Sequence, residues 1–70
     1  MKTIYDVQQI LKRFGIFIYT GDRIGDLELM IFEINELYEA GFIESYEYQM
    51  SRLLLRKEIN RENEFRNDNK

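Results

Sequence analysis

The chain has 70 residues, which is enough for one small domain with a limited hydrophobic core. It contains no cysteine and no histidine, so disulfides and thiolate chemistry are excluded and the commonest general base and metal ligand are absent. The net charge of −3 is unevenly distributed, because residues 22–48 carry eight carboxylates and one cation while the segments on either side each have a net charge of +2.

The first predicted helix begins near Thr3 and ends before Gly15. Thr3 is a suitable N-cap residue with Asp6 three positions later, as in a capping box, and Gly15 is a typical stop signal. One face carries apolar residues at helical spacing, namely Ile4, Val7, Leu11 and Phe14. The opposite face carries Tyr5, Gln8, Gln9 and Lys12, with Arg13 at its edge.

Residues 16–19, with the sequence IFIY, lead away from this helix. An isolated strand would leave its backbone groups unpaired, and no other segment resembles a strand that could pair with it. We therefore expect an extended or helical-turn connector, with the Phe14 and Phe17 side chains mainly filling the core. Residues 20–22 then form a turn.

A second helix is predicted from Asp22, as its N-cap, to Ala40, with Gly41 ending it. Most of its apolar residues share one broad face. Leu29 and Phe32 are exceptions, since at about 100° per residue they lie on the opposite side, among glutamates.

A third helix is predicted over residues 46–62 with Ser45 as its cap. It has two apolar faces, which is typical of a helix that is sandwiched or that contacts a partner. One face carries Tyr46, Met50, Leu53 and Leu54, and the other carries Tyr48, Leu55 and Ile59. The polar segment after residue 62 has no periodicity, so we expect residues 63–70 to be frayed or disordered.

The sequence therefore predicts an all-α fold, a small three-helix bundle with helices near residues 3–14, 22–40 and 46–62. Residues 1–62 form its one domain. No apolar run approaches the roughly 20 residues of a membrane span, and the N-terminus does not resemble a signal peptide. We accordingly expect a cytoplasmic protein without membrane association.

Enzymatic chemistry is not indicated. The carboxylates lie mostly on one helical face without a base or nucleophile beside them, and Asp22, Asp26 and Glu28 lack the spacing of a calcium loop. The segment GDRIGD lacks the lysine and hydroxyl residue of a phosphate loop. We expect a non-enzymatic binding protein with no catalytic residues, no cofactor and no bound metal.

Weak binding of single-stranded RNA or DNA is the first functional hypothesis, because such binding needs exposed aromatic rings and cations that follow the phosphates. An acidic chain is unusual for this function. The candidate residues are Tyr5, Gln9, Lys12, Arg13, Tyr19, Arg23, Arg52, Arg56 and Lys57.

Association with another protein, or with a second copy of the chain, is the alternative hypothesis. It rests on the second and third helices, which carry apolar residues on more than one face. An interface would remove these residues from water. The candidate interface residues are Leu29, Phe32, Tyr48, Leu55 and Ile59. The two hypotheses are compatible.

Two segments, YDVQQILKRFGIFIYTGDR and DLELMIFEINELYEAGFI, resemble the YqgQ family of short bacterial proteins. The resemblance covers roughly residues 3–58, and RFGIFIYTGD is its most specific part. It implies an all-helical three-helix fold in a cytosolic bacterial protein. It implies no activity and no ligand residues.

Overall fold

The computed structural model describes residues 1–68, which form three helices and no strand. The helices are α1 (Ile4–Arg13), α2 (Arg23–Glu39) and α3 (Ser45–Asp68). The prediction of an all-α three-helix bundle is confirmed.

The two ends of α1 follow the signals in the sequence. Thr3 is the N-cap, and the Asp6 carboxylate accepts hydrogen bonds from the backbone N–H groups of Lys2 (2.7 Å) and Thr3 (3.1 Å). These bonds hold the pKa of Asp6 below its usual value. After the helix, Gly15 has a φ of +74°, which favours glycine and turns the chain out of the helix.

Asp22 caps α2 and also connects it to the far end of α3. Its carboxylate accepts hydrogen bonds from the Arg66 guanidinium (3.1 Å) and from the Gly25 N–H (2.9 Å). These bonds hold the pKa of Asp22 below its usual value, and the bond from Arg66 has the larger effect. The helix ends before Gly41, where φ is +80°.

The third helix differs most from its prediction. It begins at Ser45, whose hydroxyl accepts a hydrogen bond from the Gln49 side chain (3.2 Å) rather than capping the helix. It continues to Asp68 instead of ending near Glu62, because residues 63–68 contain no glycine or proline and Arg66 is held by Asp22. Residues 69 and 70 of the expected frayed tail lie outside the described residues.

The path of the chain follows from the contacts between helix ends. Arg13, at the end of α1, pairs with Glu47 in the first turn of α3 (2.7 Å), so these helices are antiparallel. The Asp22–Arg66 pair shows that α2 and α3 are antiparallel too. Helices α1 and α2 therefore run in the same direction, and residues 14–22 return along the roughly 15 Å length of α1.

The core lies between the three helices and contains most of the apolar stripe predicted for α1 and α2. Two side chains predicted for an interface, Leu55 and Ile59, are instead buried in the core of the single chain, because the inner face of α3 runs through them. Phe17, expected in the core, is 75% exposed, and Ile16 and Ile18 pack against the core in its place. Phe14 is also partly exposed and lies against Phe42, with 5.8 Å between the ring centroids.

Candidate functional site

A cleft of about 380 Å³, here called the basic cleft, lies where the first turns of α1 and α2 meet the middle of α3. The side chains of Ile4 and Leu54 form part of its lining. Its charged and aromatic side chains are Lys2, Tyr5, Arg23, Lys57, Glu58 and Arg61.

The electrostatics of the basic cleft are dominated by its cations. The Glu58 carboxylate lies 3.7 Å from the guanidinium groups of both Arg23 and Arg61. Neither Lys2 nor Lys57 forms an ion pair with any residue that the structure describes. Four cations and one carboxylate give the cleft a net charge of +3 in a chain whose net charge is −3.

Tyr5 stands at the cleft with its side chain largely in solvent. Its exposure is 65%, because it lies on the face of α1 opposite Val7 and Leu11, which are buried. An exposed aromatic ring beside unpaired ammonium groups is the combination that single-stranded nucleic acids use for stacking and phosphate contact.

The basic surface continues over the outer face of α3. A shallow depression there shares Lys57 and Arg61 with the basic cleft and adds Arg56 and Asn60, with Glu64 at one side. Arg56 directly precedes Lys57, so it extends the cationic surface around the circumference of α3.

Arg52 has a different environment. Its guanidinium lies 5.5 Å from the centroid of the Tyr48 ring and donates a hydrogen bond to the Tyr48 hydroxyl (3.0 Å). The Tyr48 ring in turn stacks on Tyr38, with centroids 4.0 Å apart and planes within 7°. Both Arg52 and Tyr48 therefore take part in a stack that joins α2 to α3.

The remaining candidates for nucleic-acid binding lie elsewhere. Gln9, Lys12 and Tyr19 line a groove of about 430 Å³, here called the connector groove, between α1 and residues 16–19. Arg13 lies at the opposite end of α1 from Tyr5, paired with Glu47. The structure thus brings together Tyr5, Arg23, Lys57 and Arg56 at the basic cleft and beside it, whereas Gln9, Lys12 and Arg13 do not line it. Tyr19 shares a smaller cavity with Arg23, and Arg52 shares a shallow one with Arg56.

Two side chains of the basic cleft, Lys2 and Arg61, were missed by reasoning from the sequence. The spacing of Lys57 and Arg61, four residues apart on one helix, could have indicated a shared face. Lys2 precedes α1, and no periodicity relates it to residues of α3.

The outer face of α2 contains the two remaining interface candidates. Phe32 is 56% exposed, and Leu29 is also exposed, one helical turn before it. Their neighbours on this face are the exposed carboxylates of Glu28, Glu36 and Glu39.

Within residues 1–68, no helix combines the length and the apolar character that crossing a bilayer requires. The fold and the cleft define a small, all-helical protein with a localised cationic surface. The sequence matches the model of the YqgQ-like family over residues 1–61, and the chain therefore belongs to that family. It is 46% identical over 59 residues to the uncharacterized protein YqgQ of Bacillus subtilis (strain 168), an alignment that covers 84% of this chain and 83% of the relative.

Proposed function

We propose that the protein binds single-stranded nucleic acid at the basic cleft, without marked sequence preference. The observation that carries this proposal is the convergence of four cations and one exposed tyrosine ring at a single cleft of an acidic chain. We place this activity in the cytoplasm, where a bacterial cell holds its nucleic acids.

Each part of the cleft has a chemical role in the proposed complex. Lys2 and Lys57 meet backbone phosphates, since no carboxylate of the described residues neutralises them. The Tyr5 ring stacks on a base, which requires that the base is not already stacked in a duplex. Arg56 and Arg61 extend the phosphate track along the outer face of α3.

The distribution of negative charge favours a single strand over a duplex. Exposed carboxylates lie on the outer face of α2, whereas Lys2, Arg23, Arg56, Lys57 and Arg61 lie in the basic cleft and the depression beside it. A narrow cationic track suits one phosphate backbone, whereas a duplex presents two.

The test is a fluorescence-anisotropy titration of labelled single-stranded RNA and DNA oligonucleotides at several salt concentrations. The double variant Lys57→Ala with Arg61→Ala should lower the slope of log affinity against log salt by about 0.7 for each phosphate that the protein no longer neutralises. Tyr5→Ala should weaken binding by about 1–3 kcal/mol if the ring stacks on a base, and Tyr5→Phe should preserve it.

Arg13→Ala is the matched control, since it removes a cation of α1 that already pairs with Glu47 far from the cleft. It should leave the salt slope unchanged. The proposal fails if the wild type does not change the anisotropy at high micromolar concentration. It also fails if Arg13→Ala is as damaging as the double variant at Lys57 and Arg61, because binding would then follow total charge alone.

Self-association through the outer face of α2 is a second candidate, favoured by the exposure of Phe32 and Leu29. Phe32→Glu should shift a wild-type dimer to monomer in analytical ultracentrifugation. Leu53→Glu changes a similarly exposed apolar residue of α3 and should leave the dimer intact. Sedimentation of the wild type as a strict monomer at high concentration would remove this candidate.

A further inference from the structure

Glu58 is the one carboxylate that lines the basic cleft among the described residues. Its side chain, on α3, is only 20% exposed. One of its oxygens lies 3.7 Å from the guanidinium of Arg23, and the other lies 3.7 Å from that of Arg61. These separations allow ion pairing but are too long for hydrogen bonds.

The Glu58 carboxylate therefore has unused capacity to accept hydrogen bonds. No side chain or loop backbone group in the described part of the chain donates a hydrogen bond to it. An ionised carboxylate is an acceptor only, with about four lone-pair positions, and withdrawing it from water is costly unless donors replace the water. A ligand in the cleft that carries a hydrogen-bond donor would supply this compensation.

The chemistry of nucleic acids limits which donor this can be, and the inference rests on the proposed function because it concerns the same cleft. The phosphates of a strand accept hydrogen bonds and do not donate them, and an internal deoxyribose has no hydroxyl. An internal ribose adds the 2′-hydroxyl, which is both donor and acceptor and distinguishes RNA from DNA.

We propose that Glu58 accepts a hydrogen bond from the 2′-hydroxyl of the nucleotide whose base stacks on Tyr5, so that the basic cleft selects single-stranded RNA over DNA. Tyr5 and Glu58 line the same volume of about 380 Å³, so one nucleotide in the cleft is near both. The unpaired Lys2 and Lys57 remain for the phosphates on either side of that ribose.

The role of Glu58 in the ion pairs does not by itself predict this preference. A carboxylate repels phosphates, so a residue that served only to join Arg23 of α2 to α3 would weaken the binding of RNA and DNA equally. A residue that accepts from the 2′-hydroxyl offsets this repulsion for RNA alone. The ratio of the two affinities therefore separates the two roles.

The test compares three strands of one sequence by fluorescence anisotropy: RNA, DNA, and RNA with fluorine in place of each 2′-hydroxyl. The fluorinated strand keeps a ribose-like sugar but has no 2′ donor. The wild type should bind RNA about tenfold more tightly than either of the other strands, because both lack a hydrogen bond to a charged group.

Glu58→Ala should remove the preference, so that the three affinities agree within about twofold. Glu58→Gln keeps an acceptor oxygen and should retain part of the preference. Glu64→Gln is the matched control, since it removes a carboxylate of α3 that lies beside the same cations but outside the basic cleft. It should leave the ratio of RNA to DNA affinity unchanged. Thermal unfolding followed by circular dichroism checks that each variant is folded.

Equal binding of the three strands by the wild type would overturn this inference. The proposed function would still stand if the double variant at Lys57 and Arg61 weakened all three. An equal change for all three strands in Glu58→Ala would also overturn it, because Glu58 would then serve only the ion pairs. A preference for one base that is independent of the sugar, and that Glu58→Ala abolishes, would reassign the carboxylate to a base edge. If no strand binds, the proposed function fails and this inference fails with it.

Discussion

Replacement of Leu55 by alanine tests the arrangement of α3 most directly. Leu55 is fully buried in the core, and its truncation removes apolar burial and leaves a cavity. Leu→Ala substitutions at such sites cost about 2–5 kcal/mol. At about 0.05–0.15 kcal/mol per residue, a domain of this size has a total stability of only about 4–10 kcal/mol. Leu55→Ala should therefore remove a large part of it.

The assay is urea unfolding followed by far-UV circular dichroism, with thermal unfolding as a second measure. Each kcal/mol should lower the melting temperature by about 4–8 °C in a domain of this length. Leu53→Ala is the matched control, because Leu53 is the same residue type on the same helix but is 60% exposed. It should cost no more than about 0.5 kcal/mol. Equal losses of stability for the two variants would refute the placement of Leu55 in the core.

Two further predictions concern the N-terminal end of α2. Because the folded-state pKa of Asp22 lies below its unfolded value, its stabilising effect is present above the usual aspartate range and is lost as the pH falls through the lowered value. Asp22→Asn keeps an N-cap residue but has no carboxylate to titrate, so its urea midpoint should fall less below about pH 4 than that of the wild type. The same pH profile for both proteins would contradict the Arg66 contact. Thr20→Val removes the hydroxyl that donates to buried Asp26 (2.5 Å) and should lower the free energy of unfolding by about 1–3 kcal/mol, measured with urea. Thr20→Ser keeps a hydroxyl and should lower it less, and equal losses would contradict that bond.

Local signals in the sequence were sufficient to predict where α1 and α2 begin and end. The caps at Thr3 and Asp22 and the glycines at 15 and 41 mark helix ends by backbone geometry, which depends on few neighbours. Phe17 was misplaced because hydrophobicity alone does not tell which side chains of an extended segment point inward. In the folded chain Ile16 and Ile18 pack against the core and Phe17 is exposed, an arrangement that depends on contacts between distant residues.

The sequence indicated two apolar faces on α3 but did not indicate which of them is buried in the core. Ser51 is fully buried between Tyr48 and Leu55 on the stripe that continues to Ile59, and its small side chain interrupts the hydrophobic pattern. The pattern therefore did not distinguish this buried face from the other apolar face, which carries the exposed Leu53.

The basic cleft could be predicted only in part. Tyr5 was recognised because an aromatic residue on a polar helical face is visible in the sequence. The meeting of Lys2, Arg23 and Lys57 depends on how three helices pack, and sequence periodicity describes each helix separately.

The uneven packing of the bundle has a consequence for its dynamics. Helix α3 packs mainly against α2, its neighbour in sequence, and α1 is the most lightly held helix. Local opening of α1 therefore requires less free energy than global unfolding, and its amide hydrogens should exchange faster than those of α2. Because Lys2 and Tyr5 lie at the start of α1 and Lys57 belongs to α3, each opening event also dismantles the basic cleft. A ligand that bridges the cleft should therefore slow amide hydrogen exchange throughout α1, including at residues that the ligand does not contact.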